Sequence, residues 1–163
     1  MNALPNVTGD HFELTGAILQ TGFRESAAST RRRIILPLHR TQGATVQRML
    51  NFFQPGTYVC PHQHPEKGAI ETICVLSGVL GFVLFEADGA VRSTHRLNAG
   101  PLGLTDIEPG VWHGMVALSP DTAILEIKQG PYDASADKSF AAWAPPEGDP
   151  AAPEYVATLE ALF

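Results

Sequence analysis

Cysteine is scarce: the 163 residues hold two, Cys60 and Cys74, which do not make a disulfide framework. No apolar run approaches the ~20 residues that a membrane-spanning helix needs. Positive charge is also in deficit, with eleven Lys and Arg against seventeen Asp and Glu, for a net charge of −6. That sign opposes nucleic acid and anionic membrane as partners, and the one basic run, Arg31-Arg32-Arg33, is too short to reverse it. The opening stretch, MNALPNVTGDHFELTG, lacks the basic start and apolar segment of a secretory signal. A cytoplasmic protein with reduced thiols is therefore expected. What is present is a chain 44% hydrophobic and 8% aromatic, the composition of a globular protein of single-domain length.

Fifteen glycines and thirteen prolines cut the chain into short pieces, which favours strands over long helices. Thr72–Leu76 and Val79–Glu86 flank Ser77-Gly78, and Asp88-Gly89 reads as a turn into Val91–Leu97. Further strands are expected at Thr57–His64, Leu104–Ile107, His113–Leu118 and Thr122–Lys128. Many short strands with regular turns predict a sandwich or barrel. Two segments have helical spacing instead. Val46, Met49, Leu50 and Phe53 fall at i, i+3, i+4 and i+7 before Pro55-Gly56, and Tyr155, Leu159 and Leu162 repeat similarly near the C-terminus.

The chemistry concentrates in PHQHPEKGAIE, residues 61–71. His62 and His64, two apart, share one face of a strand. Six residues later comes Glu71, for which a hairpin return would place the carboxylate opposite the imidazoles. Glu66 is the other carboxylate of the loop, but Pro65 and Gly68 make that stretch a turn. Downstream, Pro109-Gly110 leads to His113, which can complete the set from a neighbouring strand. Three imidazoles and one carboxylate suit iron, manganese, nickel, cobalt or zinc, and suit magnesium or calcium poorly. His11 and His95 read as ordinary surface histidines.

These segments resemble the two motifs of cupins. The first runs from Gly56 through five residues to His62-Gln63-His64, six to Glu71, and six to Gly78. The gap before Glu71 is longer than the general cupin pattern of three or four. In the second motif Gly110 and His113 match, while Glu108 stands where proline is usual and Ala117 where asparagine is usual. A closer resemblance is to the WbuC-like family of cupin-fold metalloproteins. Its carriers are RRRIILPLH, VQRMLNFFQPGTYVCPHQHPEKGAIE, GVWHGMVAL, EIKQGPYD and KSFAAWAPPEGDP, and the longer loop before the glutamate belongs to that family too. The resemblance implies an all-β fold, the cupin double-stranded β-helix or jelly-roll barrel, with short flanking helices. It implies a metal site of His62, His64, Glu71 and His113, an association with surface-polysaccharide gene clusters, and no established reaction.

One domain is expected, with residues 1–30 packing on a barrel of 31–131 and a C-terminal loop and helix over 132–163. Around the metal, His39, Tyr58 and Lys128 are candidate ligand-binding residues, with Tyr132 beside them. Tyr58 and Cys60 share the parity of the histidine pair if the strand is regular, although Pro61 can disturb the pleat. Cys60 is expected to be a small buried hydrophobe. Glu126 and Lys128 share a face that can point inward or to solvent as an ion pair. No catalytic residue is identified. The expected function is that of a metal-dependent isomerase, lyase or oxygenase acting on a small polar, sugar-related molecule. The alternative is a non-catalytic ligand-binding or sensing module, and in either case a homodimer is expected because cupins often pair through sheet edges.

Overall fold

A computed structural model describes residues 3–65, 69–135 and 137–163. Along the chain run α1 (Gly16–Ala28), β1 (Arg33–Pro37), β2 (Val46–Phe53), β3 (Val59–Gln63), β4 (Glu71–Ser77) and β5 (Val79–Phe85). They are followed by β6 (Val91–Asn98), β7 (Leu104–Ile107), β8 (His113–Ala117), β9 (Thr122–Gln129), β10 (Ser139–Phe140) and α2 (Ala152–Glu160). Among the described residues the strands form two five-stranded antiparallel sheets, ordered β1-β2-β9-β4-β7 and β10-β3-β8-β5-β6. The chain passes repeatedly from one sheet to the other, giving the double-stranded β-helix expected from the sequence. No helix among the described residues is long and apolar enough to cross a membrane.

Gly78 explains why a glycine ends the first motif. It sits at φ +74°, and a Cβ there would come 2.5 Å from Thr122 Oγ1, so a side chain would block the tight passage from β4 into β5. Beyond it, Ile73, Val75, Leu80, Phe82 and Ile124 close one end of the barrel with an apolar plug. The polar residues are left to the other end.

The helix expected at residues 46–53 is strand β2, paired with β1 from Phe53↔Arg33 to Met49↔Pro37 and with β9 along its whole length. From Met49 onward both of its faces are covered, while Val46 and Arg48 are exposed. Leu50 and Phe52 pack outward beneath α1, while Gln47, Met49, Asn51 and Phe53 line the barrel interior. Apolar residues on two buried faces combine into a spacing that imitates one helical stripe. The other expected helix is present as α2, where Val156 and Leu159 are buried.

Helix α1 starts at Thr15, whose hydroxyl accepts from the Ile18 amide. It packs Phe23 edge-on against Phe52 at 5.8 Å between ring centroids. The C-terminal segment covers the second sheet, with Ala141, Ala144, Val156 and Leu159 against Val83 and Phe85. Arg33 ties this segment to the barrel. Its guanidinium donates to the Tyr58 carbonyl at 2.5 Å and to Glu147 at 2.7 Å, and Arg31 donates to the same carboxylate.

Candidate metal centre

The pairing of β3 with β8 places His62 directly opposite His113, with 4.4 Å between their ring centroids. His64, just beyond the end of β3, puts its ring 5.5 Å from that of His62. The Pro109-Gly110 turn is fastened to this strand by the Gly110 amide, which donates to the His64 carbonyl at 2.6 Å. His113 also stacks on Phe82, with the rings 20° from parallel. Local register therefore gathers three imidazoles at the polar end of the barrel.

Glu71 reaches them from the opposite sheet. It opens β4, in register between Lys128 of β9 and Ile107 of β7. The hairpin expected from the sequence is not formed, because β3 ends in one sheet and β4 begins in the other. The carboxylate instead meets the imidazoles across the barrel interior, with Glu71 Oε2 3.0 Å from His64 Nε2 and 3.3 Å from His113 Nε2. Glu66, the other carboxylate considered, lies outside the described residues.

Hydrogen bonds on the far side of each ring fix what the near side can do. His62 Nδ1 lies 3.0 Å from the Cys60 carbonyl, His113 Nδ1 2.9 Å from the Val111 carbonyl, and His64 Nδ1 2.6 Å from the Asp137 carbonyl. A carbonyl oxygen only accepts, so each Nδ1 carries the proton. With Nδ1 so engaged, Nε2 is the nitrogen left to face the neighbouring rings and Glu71. Burial, with Lys138 and His113 nearby, holds the His62 imidazole well below its ordinary pKa and so neutral. Burial also works against ionisation of Glu71, but the imidazoles of His113 and His64 outweigh it and hold the carboxyl well below the usual carboxylate range.

With Nδ1 occupied, Nε2 approaches the Glu71 carboxylate favourably only with a positive charge between them, a second ring proton or a metal cation. The four ligand atoms lie within 4.8 Å of one another and all four residues are buried. His113 Nε2 makes no well-directed hydrogen bond among the described residues, Glu71 Oε2 at 3.3 Å being its nearest acceptor. This donor set fits a divalent transition metal, and with neutral imidazoles and one carboxylate the assembled centre would keep a charge of about +1.

The centre adjoins a cavity of about 380 Å³, lined by His62 and Glu71 together with residues of β1, β2 and β9. Of the other residues singled out from the sequence, His39, Lys128 and Tyr132 line this cavity. Tyr58 does not. The strand shifts register between Val59 and His62, so Val59 faces the cavity, and the Tyr58 hydroxyl donates to the Pro145 carbonyl at 2.6 Å. Cys60 is buried on the same outer side, where burial pushes its thiol up and keeps it protonated. His11 and His95 are exposed and stand outside the four-residue cluster.

Three cavity residues were not singled out as site residues. Asn51 donates to Glu126 at 2.9 Å. Asp137 takes Lys128 Nζ at 2.5 Å while its carbonyl holds His64. Glu126 itself faces the cavity, where burial and the charge of Glu71 raise its carboxyl to about 7. Parity in the sequence puts Glu126 and Lys128 on one face, but only the pairing of β9 between β2 and β4 turns that face inward.

A family model described as a domain of unknown function (DUF6016) matches residues 14–97. No curated protein matches the chain in sequence. Among solved structures, a protein with a double-stranded β-helix domain from Klebsiella pneumoniae subsp. pneumoniae MGH 78578 superposes with a TM-score of 0.50 at 21% identity, over 67% of this chain and 84% of that one. The capsular polysaccharide assembling protein CapF from Staphylococcus aureus gives 0.54 at 18% identity, over 65% of this chain. A recombinant oxalate oxidase in complex with glycolate gives 0.52 at 18% identity, over 70% of this chain. This chain spans 57% of that oxidase and 31% of CapF. These likenesses place the chain in the cupin fold.

Proposed function

This chain belongs to the DUF6016 family, a domain of unknown function, and from that premise we propose that His62, His64, Glu71 and His113 hold one divalent transition ion beside a cavity for a small polar ligand. The observation that carries the reading is the set of ring orientations. Three buried imidazoles each give Nδ1–H to a carbonyl and turn Nε2 toward one another and the carboxylate. Iron, manganese, nickel, cobalt and zinc all suit such donors.

Within this reading the protein is a cytoplasmic enzyme of the WbuC-like cupins that its sequence resembles, and its substrate is a small, sugar-related molecule. The ion would polarise a carbonyl or activate water or dioxygen. Glu126 is the group we assign to proton transfer, because its buried carboxyl faces the cavity beside Glu71, next to a ligand held at the centre. Lys128, anchored by Asp137, would orient an acidic or hydroxylated ligand. A non-catalytic binding or sensing role is the alternative; its support is that the protein offers four donors, as many as a structural zinc site uses.

We also propose a homodimer. Leu102 and Leu104 are 82% and 60% exposed at the β7 edge, where an uncovered strand invites pairing. The enzymatic reading is tested by loading the protein separately with each candidate ion and screening it against a metabolite extract. Turnover that requires the ion and is lost in Glu126→Gln supports it. Ligand binding without turnover under every ion would favour the sensing role.

A further inference from the structure

The inner face of the first sheet carries a row of polar residues that continues well beyond the metal centre. Strand register aligns Glu71 with Lys128 and Lys128 with Gln47. The β1–β2 pairing runs to Pro37↔Met49, and beyond it the amides of Leu38 and His39 both donate to the Arg48 carbonyl, at 2.8 and 3.2 Å. His39 is thereby set beside Gln47, at the end of the row opposite Glu71. Three strand spacings of ~4.8 Å separate the two ends by roughly 14 Å of backbone.

His39 is only 3% exposed, yet it lines the same cavity as Glu71 and His62. Its Nδ1 sits between the Arg48 carbonyl at 2.9 Å and the Arg48 amide at 3.1 Å, so it is satisfied either donating to the one or accepting from the other. Nε2 has no partner among the described residues, and an acceptor in the cavity would select the tautomer that carries the proton there. A buried ring nitrogen left unpaired is costly, so a ligand group in the cavity that pairs it would relieve a standing penalty. The cavity wall also favours negative charge. Arg33, Lys128 and Lys138 line it against Glu126 and Asp137, and an occupied metal centre adds about one further positive charge.

We propose that His39 recognises the far end of an elongated organic acid, a dicarboxylate or a sugar acid of similar length, whose near end lies at the metal centre. The inference rests on the metal reading above and deepens it. His39 Nε2–H donates to the distal carboxylate or carbonyl oxygen, Lys128 faces the middle of the ligand, and Met49 and Ile35 give it an apolar floor. Length becomes the basis of selection, because a short acid bound at the centre cannot reach His39.

The test uses the full chain loaded with zinc, a diamagnetic probe ion. Succinate, adipate and suberate are titrated calorimetrically against the chain-matched monocarboxylates, and the His39 ring nitrogens are followed by NMR with ¹⁵N-labelled histidine. The expected result is that adipate or suberate binds at least ~10-fold more tightly than its matched monocarboxylate. Binding should shift the His39 Nε2 resonance, and the advantage should disappear in His39→Ala and be largely kept in His39→Gln, with zinc affinity the same in both. The NMR shift is read on the unsubstituted protein and so does not depend on a variant folding. A zinc-loaded protein that shows no preference for the longer diacids, or whose preference survives His39→Ala, overturns the inference and leaves the metal centre standing. A wild-type chain that takes up no zinc or other candidate ion overturns both.

Discussion

Glu71 supplies the one negative charge among the four donors, so it decides how firmly a cation is held. Glu71→Gln keeps size and one acceptor but removes that charge. It should weaken binding of a divalent ion by at least ~10-fold, or about 1.4 kcal/mol, in a metal titration. Glu66→Gln is the matched comparison and should leave affinity unchanged; a larger loss there would displace Glu71 from the donor set. His62, His64, His113 and Glu71 were all legible as candidates because ligation constrains residue type and spacing directly. Tyr58 and Cys60 were harder to place. Their orientation depends on the shift of register around Pro61, which alternation along a strand does not reveal. His39 could be named from the sequence, but its unpaired Nε2 depends on where Arg48 lies in three dimensions.

The elements that flank the barrel make their own predictions. A Cβ at Gly22 would overlap the ring of Phe52, which is fully buried beneath α1. Helix propensity alone favours Gly22→Ala by roughly 1 kcal/mol. Overpacking against Phe52 should reverse that sign and destabilise the fold by about 1–3 kcal/mol in chemical denaturation. The C-terminal segment should respond to acid. Burial raises the Glu147 carboxyl, but Arg31 and Arg33 outweigh it and leave its pKa below the ordinary value. A carboxylate depressed in the folded state stabilises above its unfolded pKa of about 4.3 and loses that contribution as pH falls through the folded value. Glu147→Gln should therefore cost about 1 kcal/mol at pH 7, a modest figure because the carboxylate is partly exposed, and the gap from wild type should close below about pH 4. A gap that stayed constant through acid denaturation would remove the Arg31–Arg33–Glu147 cluster from this account. Strands β3 to β9 could be read from turns and alternation, because each has a turn at one end. Strand β2 could not, since from Met49 onward both its faces are covered and the resulting spacing resembles a helix.

At the scale of the molecule, the barrel divides into an apolar plug and a polar end where four donors converge. Such a centre should couple metal occupancy to folding, because an ion that binds only the native state stabilises it by mass action. Excess zinc should raise the melting temperature of wild type but leave His62→Ala unmoved, with His11→Ala and His95→Ala behaving as wild type. Sedimentation at micromolar concentration should find a dimer; a stable monomer would remove the pairing proposed at the β7 edge without touching the metal centre. The most direct test is elemental analysis of wild type and His62→Ala purified side by side without added metal. The account predicts about one divalent transition ion per chain in wild type and a trace in the variant. Equal metal content in the two proteins would contradict it.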